Sequence, residues 1–381
     1  MNQPTRPEES TGNRDVLYLA FELGSKEWEL AFSSQIGEKP RRRTIPAGDL
    51  ESLQSEIVRA RQRFGVTGSR VASCYEAGRE GFWLHRALVS MGIDNVVVDS
   101  SSIEVNRRSR RAKTDRLDAE KLLSLRIRSL HGEPKVWSVV RVPTPEQEDA
   151  RQLSRELEEL KYERTAHRNR IQSLLVSQGV KVKLGSGFLL QLEQTRLWDG
   201  SALPPHLKER IQREHKRLTQ VQEQIQDLEK QRQQAVAERT TQPDLELIQR
   251  LKLLKGIGLG SAWVFVQEFF GWRQFRDRRQ VAALAGLVPV PYQSGESLDR
   301  EQGISKAGNR RVRTLAVEIA WSWLRWQPQS RLSLWFQERY GPGSRRSRRV
   351  GIVALARKLL VEMWRYLQTG VAPEGAILKP A

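Results

Sequence analysis

The period of apolar positions changes along the chain, and each change predicts a different kind of element. From Asp15, the run Val-Leu-Tyr-Leu-Ala-Phe-Glu-Leu-Gly-Ser-Lys-Glu-Trp-Glu-Leu-Ala-Phe predicts two strands joined by a tight turn at Gly24-Ser25. Glu22 then stands at the end of the first strand. Leu50, Leu53, Ile57 and Ala60 recur at helical spacing within residues 48–64, and Gly65 is placed to end that helix. Ser69-Arg-Val-Ala-Ser-Cys-Tyr-Glu-Ala-Gly78 reads as a short apolar strand that delivers Glu76 at its C-terminal end. A helix from about residue 80 to 91 and a strand over residues 95–100 follow. Strands alternating with helices predict an α/β domain with a largely buried sheet, spanning residues 15–143 behind a disordered tail of residues 1–14.

From Pro145 the period becomes heptad. Leu153, Leu160, His167 and Leu174 recur every seven residues, as do Leu157 and Ile171 with Arg164 at the position between them. A second segment from His206 to about Arg239 carries Ile211, Leu218 and Ile225 on one seam and Leu207, Val221 and Leu228 on the other, with Glu214 interrupting. This pattern predicts a coiled-coil hairpin over residues 144–242, with Gly185 to Pro205 as its tip. Such an arm serves either as a dimerisation device or as a spacer.

Composition shifts again at Thr240-Thr-Gln-Pro243, opening a mainly α-helical C-terminal domain of residues 243–381. Leu251-Lys-Leu-Leu-Lys-Gly-Ile-Gly-Leu-Gly-Ser-Ala-Trp-Val-Phe265 reads as a helix-hairpin-helix-like element, whose Gly256 and Gly258 would let backbone amides approach a phosphate. Glycine turns between packed helices also occur with no ligand. Residues 279–287 read as a helix, followed by a Gly-, Ser- and Arg-rich loop over residues 288–313 and an aromatic helix holding Trp321, Trp323 and Trp326. Helical spacing assigns those tryptophans to the core, with base-stacking platforms as the alternative. Arg345, Arg346, Arg348 and Arg349 read as a basic loop of electrostatic use.

Charge narrows the class. The 381 residues carry a net charge of +19, which implies a polyanionic partner, nucleic acid or an anionic membrane surface. No apolar run is long enough to span a bilayer, and Met1 to Arg14 does not read as a signal peptide. A single cysteine, Cys74, excludes a disulfide framework and a Cys-based zinc site, and the five histidines show no metal-ligand spacing. The expectation is a cytoplasmic, nucleoid-associated protein that handles nucleic acid.

The candidate chemistry centres on Arg107-Arg-Ser-Arg-Arg-Ala-Lys-Thr-Asp-Arg-Leu-Asp-Ala-Glu-Lys121. Asp115 and Asp118 share one face at the start of a predicted helix, directly after the cations Arg107, Arg108, Arg110, Arg111 and Lys113. Taken alone, this stretch also reads as a capped surface helix of mixed charge. With Glu22 and Glu76 at strand ends, where α/β sheets collect ligands, the four acids make a set suited to Mg²⁺ or Mn²⁺. Carboxylates for a divalent cation beside cations for phosphates are what metal-assisted phosphodiester chemistry needs.

Four motifs in order carry a resemblance over nearly the whole chain: Tyr75-Glu76-Ala-Gly, Lys113-Thr-Asp115-Arg-Leu-Asp118-Ala, Leu254-Lys-Gly-Ile-Gly, and Gly286-Leu-Val-Pro with Ser294-Gly-Glu-Ser and Gly303-Ile-Ser-Lys-Ala-Gly-Asn-Arg-Arg-Val-Arg313. The chain resembles the bridge-RNA-guided insertion-sequence transposases, which have an N-terminal DEDD, RuvC-like (RNase H-like) nuclease domain and a C-terminal serine-bearing domain. The resemblance implies Glu22, Glu76, Asp115 and Asp118 as the metal-binding acids. Glu22 stands where the family has aspartate, which keeps the carboxylate on a longer stem. It also implies Ser294 as the nucleophile, with Ser297 and Ser305 as nearby alternatives, and a covalent phosphoserine with one DNA end. Donor and target DNA and a structured guide (bridge) RNA are the implied partners. Composite active sites would form in a homo-oligomer, a dimer assembling to a tetramer, with exchange through a Holliday junction. Arg310, Arg311 and Arg313 are the candidates for holding phosphate beside the serine, and Lys306 is a further candidate contact to nucleic acid. Two other classes remain: a junction nuclease that hydrolyses DNA with water, and a non-catalytic nucleic-acid-binding protein.

Overall fold

The computed structural model describes residues 16–103, 115–238, 242–292 and 300–380, without the side chains of residues 115–117, 291–292 and 300–302. The expected tail of residues 1–14, the cations Arg107, Arg108, Arg110, Arg111 and Lys113, and the serines Ser294 and Ser297 lie outside the described residues. The chain forms two compact units, residues 1–143 and 144–381.

The first unit is built on a five-stranded sheet of β1 (Val16–Leu23), β2 (Glu27–Ser33), β3 (Arg41–Pro46), β4 (Arg70–Glu76) and β5 (Asp94–Val98), in the order β3-β2-β1-β4-β5. β1 pairs antiparallel with β2 and β2 with β3, whereas β4 and β5 run parallel to β1. Alternation sorts β1 cleanly. Leu17, Leu19 and Phe21 pack with Leu53, Ile57 and Ala60 of α1 (Leu50–Phe64) and Leu84 and Leu88 of α2 (Trp83–Ser90). Val16, Tyr18 and Ala20 face the other way, with Ala72 and Cys74 of β4, against Ala119, Leu122, Leu123 and Ile127 of α3 (Asp115–Leu130). α1 begins where Asp49 accepts from the Ser52 amide at 2.9 Å and ends at Gly65, whose φ of +65° is left-handed. The strand over β3 is an addition to what periodicity gives. Its sequence Arg-Arg-Arg-Thr-Ile-Pro has one core aliphatic residue, Ile45, and its other inward position is Arg41, ion-paired in the interior with Glu56 of α1. Burial would raise the Glu56 carboxyl, but Arg41 and Arg59 reverse that and hold it below the usual carboxylate range.

In the second unit, α4 (Pro145–Asp149) leads through a capping box at Thr144 into α5 (Gln152–Val176). α5 packs antiparallel on α7 (Pro205–Ala237): Leu157 and Leu160 meet Val221 and Ile225, while Ile171 and Leu175 meet Ile211 and Leu218. His167 and Glu214, the polar interruptions of the heptads, are partners here. His167 Nδ1 and Arg170 Nη1 each lie 2.7 Å from Glu214 Oε2. The tip is not bare loop, because α6 (Phe188–Gln194) tucks Phe188 and Leu192 into the end of the helix pair.

α8 (Pro243–Leu253), α9 (Leu259–Phe265), a π-helical segment (Val266–Phe270) and α10 (Arg278–Leu284) then form one core with α11 (Arg310–Trp326), α12 (Arg331–Tyr340) and α13 (Arg345–Thr369). Residues 288–313, expected as a loop, contain the antiparallel pair β6 (Pro289–Tyr292) and β7 (Arg300–Ile304). The basic loop at Arg345–Arg349 is instead the start of α13, capped by Ser344. Of the three tryptophans assigned to the core, Trp323 is fully buried, but Trp321 and Trp326 are each 45% exposed. Among the described residues, no helix is long and apolar enough to cross a membrane.

Candidate functional site

The acids of the first unit are positioned by the sheet. The β1–β4 register aligns Ala20 with Cys74 and Phe21 with Tyr75, so Glu22 and Glu76 are the next residues of two adjacent parallel strands. Both continue the alternation of Tyr18, Ala20, Ala72 and Cys74, which places them on the face covered by α3. The direction of α3 follows from its contacts. Cys74 Sγ lies 3.5 Å from the Leu122 carbonyl, and Arg126 donates to Asp94 at the start of β5 at 2.8 Å. The His131 ring lies 6.3 Å from that of Tyr18, near the start of β1. α3 therefore runs opposite to β1 and β4, and its N-terminus lies at their C-terminal ends. From the Cys74–Leu122 contact, Asp118 is one helical turn away, about 6 Å, and Glu76 is two strand residues away, about 6.6 Å, in the same direction. Asp118 is half-buried and shares its helix face with buried Leu122. Asp115 opens α3, and its side chain lies outside the described residues. Among the described residues, no group of three or more His, Cys, Asp or Glu side chains could hold a metal ion, so the grouping of Glu22, Glu76 and Asp118 is one of backbone placement.

The candidate serines sit in the second unit. Ser294 and Ser297 belong to the segment joining Tyr292 of β6 to Arg300 of β7, which are paired. The base of that hairpin is fixed firmly. The Ser305 amide donates to the Val288 carbonyl at 2.8 Å and the Asn309 amide to the Leu284 carbonyl at 2.9 Å. Gly286 (φ +68°) and Gly308 (φ +105°) interlock there: a Cβ on Gly286 would strike the Ala307 carbonyl, and one on Gly308 would strike that of Leu284. Lys306 also adopts a left-handed φ, +57°, which is uncommon for a side-chain-bearing residue. Arg313 Nη1 donates to the Lys306 carbonyl at 3.0 Å and the Ala285 carbonyl at 3.3 Å, so it acts as a brace of this turn. Arg311 pairs with Glu158 of α5, and Arg310 is exposed at the start of α11.

A buried carboxylate that periodicity does not reveal ties these parts together. Glu268, 1% exposed in the π-helical segment, accepts from Arg155 Nε of α5 at 2.7 Å and Arg155 Nη2 at 3.1 Å. It also accepts from Asn309 Nδ2 at 3.2 Å, and Asn309 caps α11. Burial alone would raise the Glu268 carboxyl, but Arg155 and Asn309 outweigh it and hold it below the usual range. Its depressed value makes the bond a source of stability above the pKa of a free glutamate, about 4.3, and that stability is lost as pH falls through the native value. Arg155→Met should therefore destabilise the second unit by roughly 3 kcal/mol at neutral pH, because it strands a buried charge. Chemical denaturation of the variant and the parent measures this, and the gap should narrow in acid. The sequence signal was weak: Val-Gln-Glu-Phe-Phe is an apolar run in which one acid looks incidental.

The turn Leu254-Lys-Gly-Ile-Gly joins α8 to α9. Gly256 has φ +96°, and a Cβ there would lie 3.3 Å from Trp326 Cβ, while its carbonyl accepts from Ser322 Oγ at 2.9 Å. Close packing on α11 thus accounts for Gly256. Gly258 is the extended N-cap of α9. Gly256 lies beside the C-terminal end of α11 and Arg310 at its start, about 24 Å apart along the 17-residue helix, so Arg310 and the glycine turn do not converge on one point.

Residues 248–334, from α8 into α12, match the family model described as Transposase IS116/IS110/IS902 family. The chain is 42% identical over 394 aligned positions to "Putative transposase y4rJ" of Sinorhizobium fredii, covering 98% of both proteins. It is 29% identical to the transposase for insertion sequence element IS1328 of Yersinia enterocolitica, over 66% of this chain and 71% of that protein. To the transposase for insertion sequence element IS1111A of Coxiella burnetii it is 28% identical, over 76% of this chain and 75% of that protein. The near end-to-end match takes in both the acid-bearing sheet and the hairpin region, and the chain belongs to the IS116/IS110/IS902 family of transposases.

Proposed function

We propose that this transposase is an RNA-guided DNA recombinase of an insertion sequence, in which an acidic site on the first unit works with Ser294 on the second. The observation that carries the reading is the shared face of Glu22, Glu76 and the start of α3, with two adjacent parallel strand ends and one helix turn aligned by the Cys74–Leu122 contact. The strand order β3-β2-β1-β4-β5 supports an RNase H-like, RuvC-like nuclease domain. Oxygen donors alone suit Mg²⁺ or Mn²⁺, and Glu22, Glu76, Asp115 and Asp118 would hold it. Such an ion supplies charge withdrawal from the scissile phosphate. Ser294 Oγ attacks phosphorus, the strand's P–O bond breaks, and the departing sugar oxygen takes up a proton. The phosphoserine keeps the phosphodiester available for rejoining to a new end. Arg310 and Lys306 offer charge to the transferred phosphate, while Arg313 and Asn309 hold the turn at the base of the β6–β7 hairpin. The net charge of +19 provides for both DNA and a structured guide RNA.

The α5–α7 pair acts as a coiled-coil assembly arm for a dimer or tetramer, supported by exposed Leu190 (72%) and Trp198 (91%) near its tip. The α8–α9 turn serves as a helix-hairpin-helix-like backbone contact to nucleic acid.

Glu22 gives a test of the acidic site. Glu22→Gln should be nearly inactive in strand cleavage, and Glu22→Asp should retain activity, because only the second keeps a charge at this strand end. Full activity of the Gln variant in Mg²⁺ would remove Glu22 from the site.

A further inference from the structure

We propose that the recess between α11 and α13 is a binding site for an unpaired nucleotide of single-stranded nucleic acid, with its base stacked on Trp321 and its flanking phosphates held by Arg345, Arg348 and Arg349. The recess has a volume of about 450 Å³ and is lined by Trp321, Gly343, Arg345, Arg348 and Arg349. Three features mark it as a ligand site. First, Trp321 presents nearly half its surface to solvent, while Trp323, on the opposite side of the same helix, is fully buried in the core. The other exposed tryptophan of α11, Trp326, has cations over its ring: Lys255 at 5.7 Å and Arg325 at 5.3 Å. Among the described residues, no ring or cation is stacked on Trp321 in this way.

Second, Arg345, Arg348 and Arg349 fall at i, i+3 and i+4 of α13 and so share one face, which is the wall of the recess. All three are exposed, and among the described residues none is in an ion pair. Third, their position works against local stability. The N-terminal end of a helix is electropositive and favours acids, as at Glu51 of α1 or Asp244 and Glu246 of α8. α13 has no acid in its first turn and starts with two consecutive arginines. Cations set against a helix dipole are neutralised by an anionic partner, and phosphate is an anion that arginine holds in bidentate geometry.

The tryptophan decides between duplex and single strand. Duplex phosphates need only the arginines, because paired bases are already stacked on each other. A free indole face beside phosphate-binding arginines is the pairing by which proteins hold unpaired bases. Gly343, in the turn into α13, lies close against that helix's first turn: a Cβ there would be 2.7 Å from Ser347 Oγ. The shared chemistry is an unpaired base between phosphates, and DNA and RNA single strands both supply it.

The test uses the full chain in EDTA, so that its outcome is independent of the acidic site and of Ser294. Labelled oligo-dT, oligo-U and a short duplex are titrated at several salt concentrations. Trp321→Leu, which keeps an apolar side chain but loses the ring, should weaken one or both single strands about fivefold or more, with duplex affinity unchanged. Trp321→Tyr should retain binding. Loss with only DNA or only RNA supports the site and identifies its source. Joint replacement of Arg345, Arg348 and Arg349 by Gln should reduce the salt dependence of single-strand binding by about 2 in log–log slope. Photocrosslinking of oligomers carrying 4-thiothymidine or 4-thiouridine should mark the peptide containing Trp321. Unchanged single-strand affinity in Trp321→Leu, an equal loss for duplex, or crosslinks only to other peptides would overturn the proposal.

Discussion

Asp118→Asn is expected to slow strand cleavage in Mg²⁺ by about a hundred- to a thousandfold or more, while affinity for DNA and RNA changes by less than about twofold. The substitution keeps shape and removes charge at a half-buried position, where α3 brings its first turns to the ends of β1 and β4. Affinity should survive because it rests on the many cations that give the chain its charge of +19, none of which is altered. Ala119, Leu122 and Leu123 hold α3 to the sheet and are unaltered, so the thermal unfolding of the variant should stay close to that of the parent. A cleavage assay on labelled DNA, paired with a filter-binding assay, separates the two effects. Wild-type cleavage by Asp118→Asn would remove this acid from the site.

The second large effect concerns Ser294→Ala. Deleting a nucleophile costs on the order of 10⁴-fold or more where no substitute group is in place. Cleavage and covalent attachment should vanish together, with DNA and RNA binding unchanged. Serine is a weak nucleophile until it is oriented. At the base of the β6–β7 hairpin, the interlock of Gly286, Gly308 and Arg313 leaves the turn into α11 little freedom. Ser297→Ala should retain activity. Ser305→Ala should also retain activity, because the Ser305 amide and not its hydroxyl holds the hairpin to Val288. Cleavage that persists in all three variants would assign the chemistry to water.

Several parts of this architecture were legible in sequence for simple physical reasons. β1, β4 and β5 are buried on both faces, so they read as apolar runs, and the acids that end β1 and β4 stand out against them. Heptads located α5 and α7 because their two partners bury matching rows. β3 was hidden because an edge strand of arginines has too little apolar alternation to see, and its inward Arg41 is satisfied by a glutamate 15 residues later. The β6–β7 hairpin was hidden by Pro289 and Pro291. Neither has an N–H to donate, and the register slips between them. The misplaced tryptophans carry a different lesson. At about 100° per residue, Trp321 and Trp323 point to opposite sides of α11, so both could not be core. Reading helical spacing without choosing a face concealed that one was left for solvent. Glu268 escaped notice because its importance lies in Arg155, 113 residues away, and Asn309, 41 residues away.

The most direct measurement is the identity of the protein atom joined to DNA during the reaction. A substrate carrying a nick or phosphate modification that prevents rejoining is incubated with the full chain, guide RNA and Mg²⁺, resolved on a denaturing gel, and the attached peptide is sequenced by mass spectrometry. The account predicts a nucleotide phosphate on Ser294, absent from Ser294→Ala and strongly reduced in Asp118→Asn. Cleaved DNA with no protein attached, or an adduct on a residue other than Ser294, would contradict it.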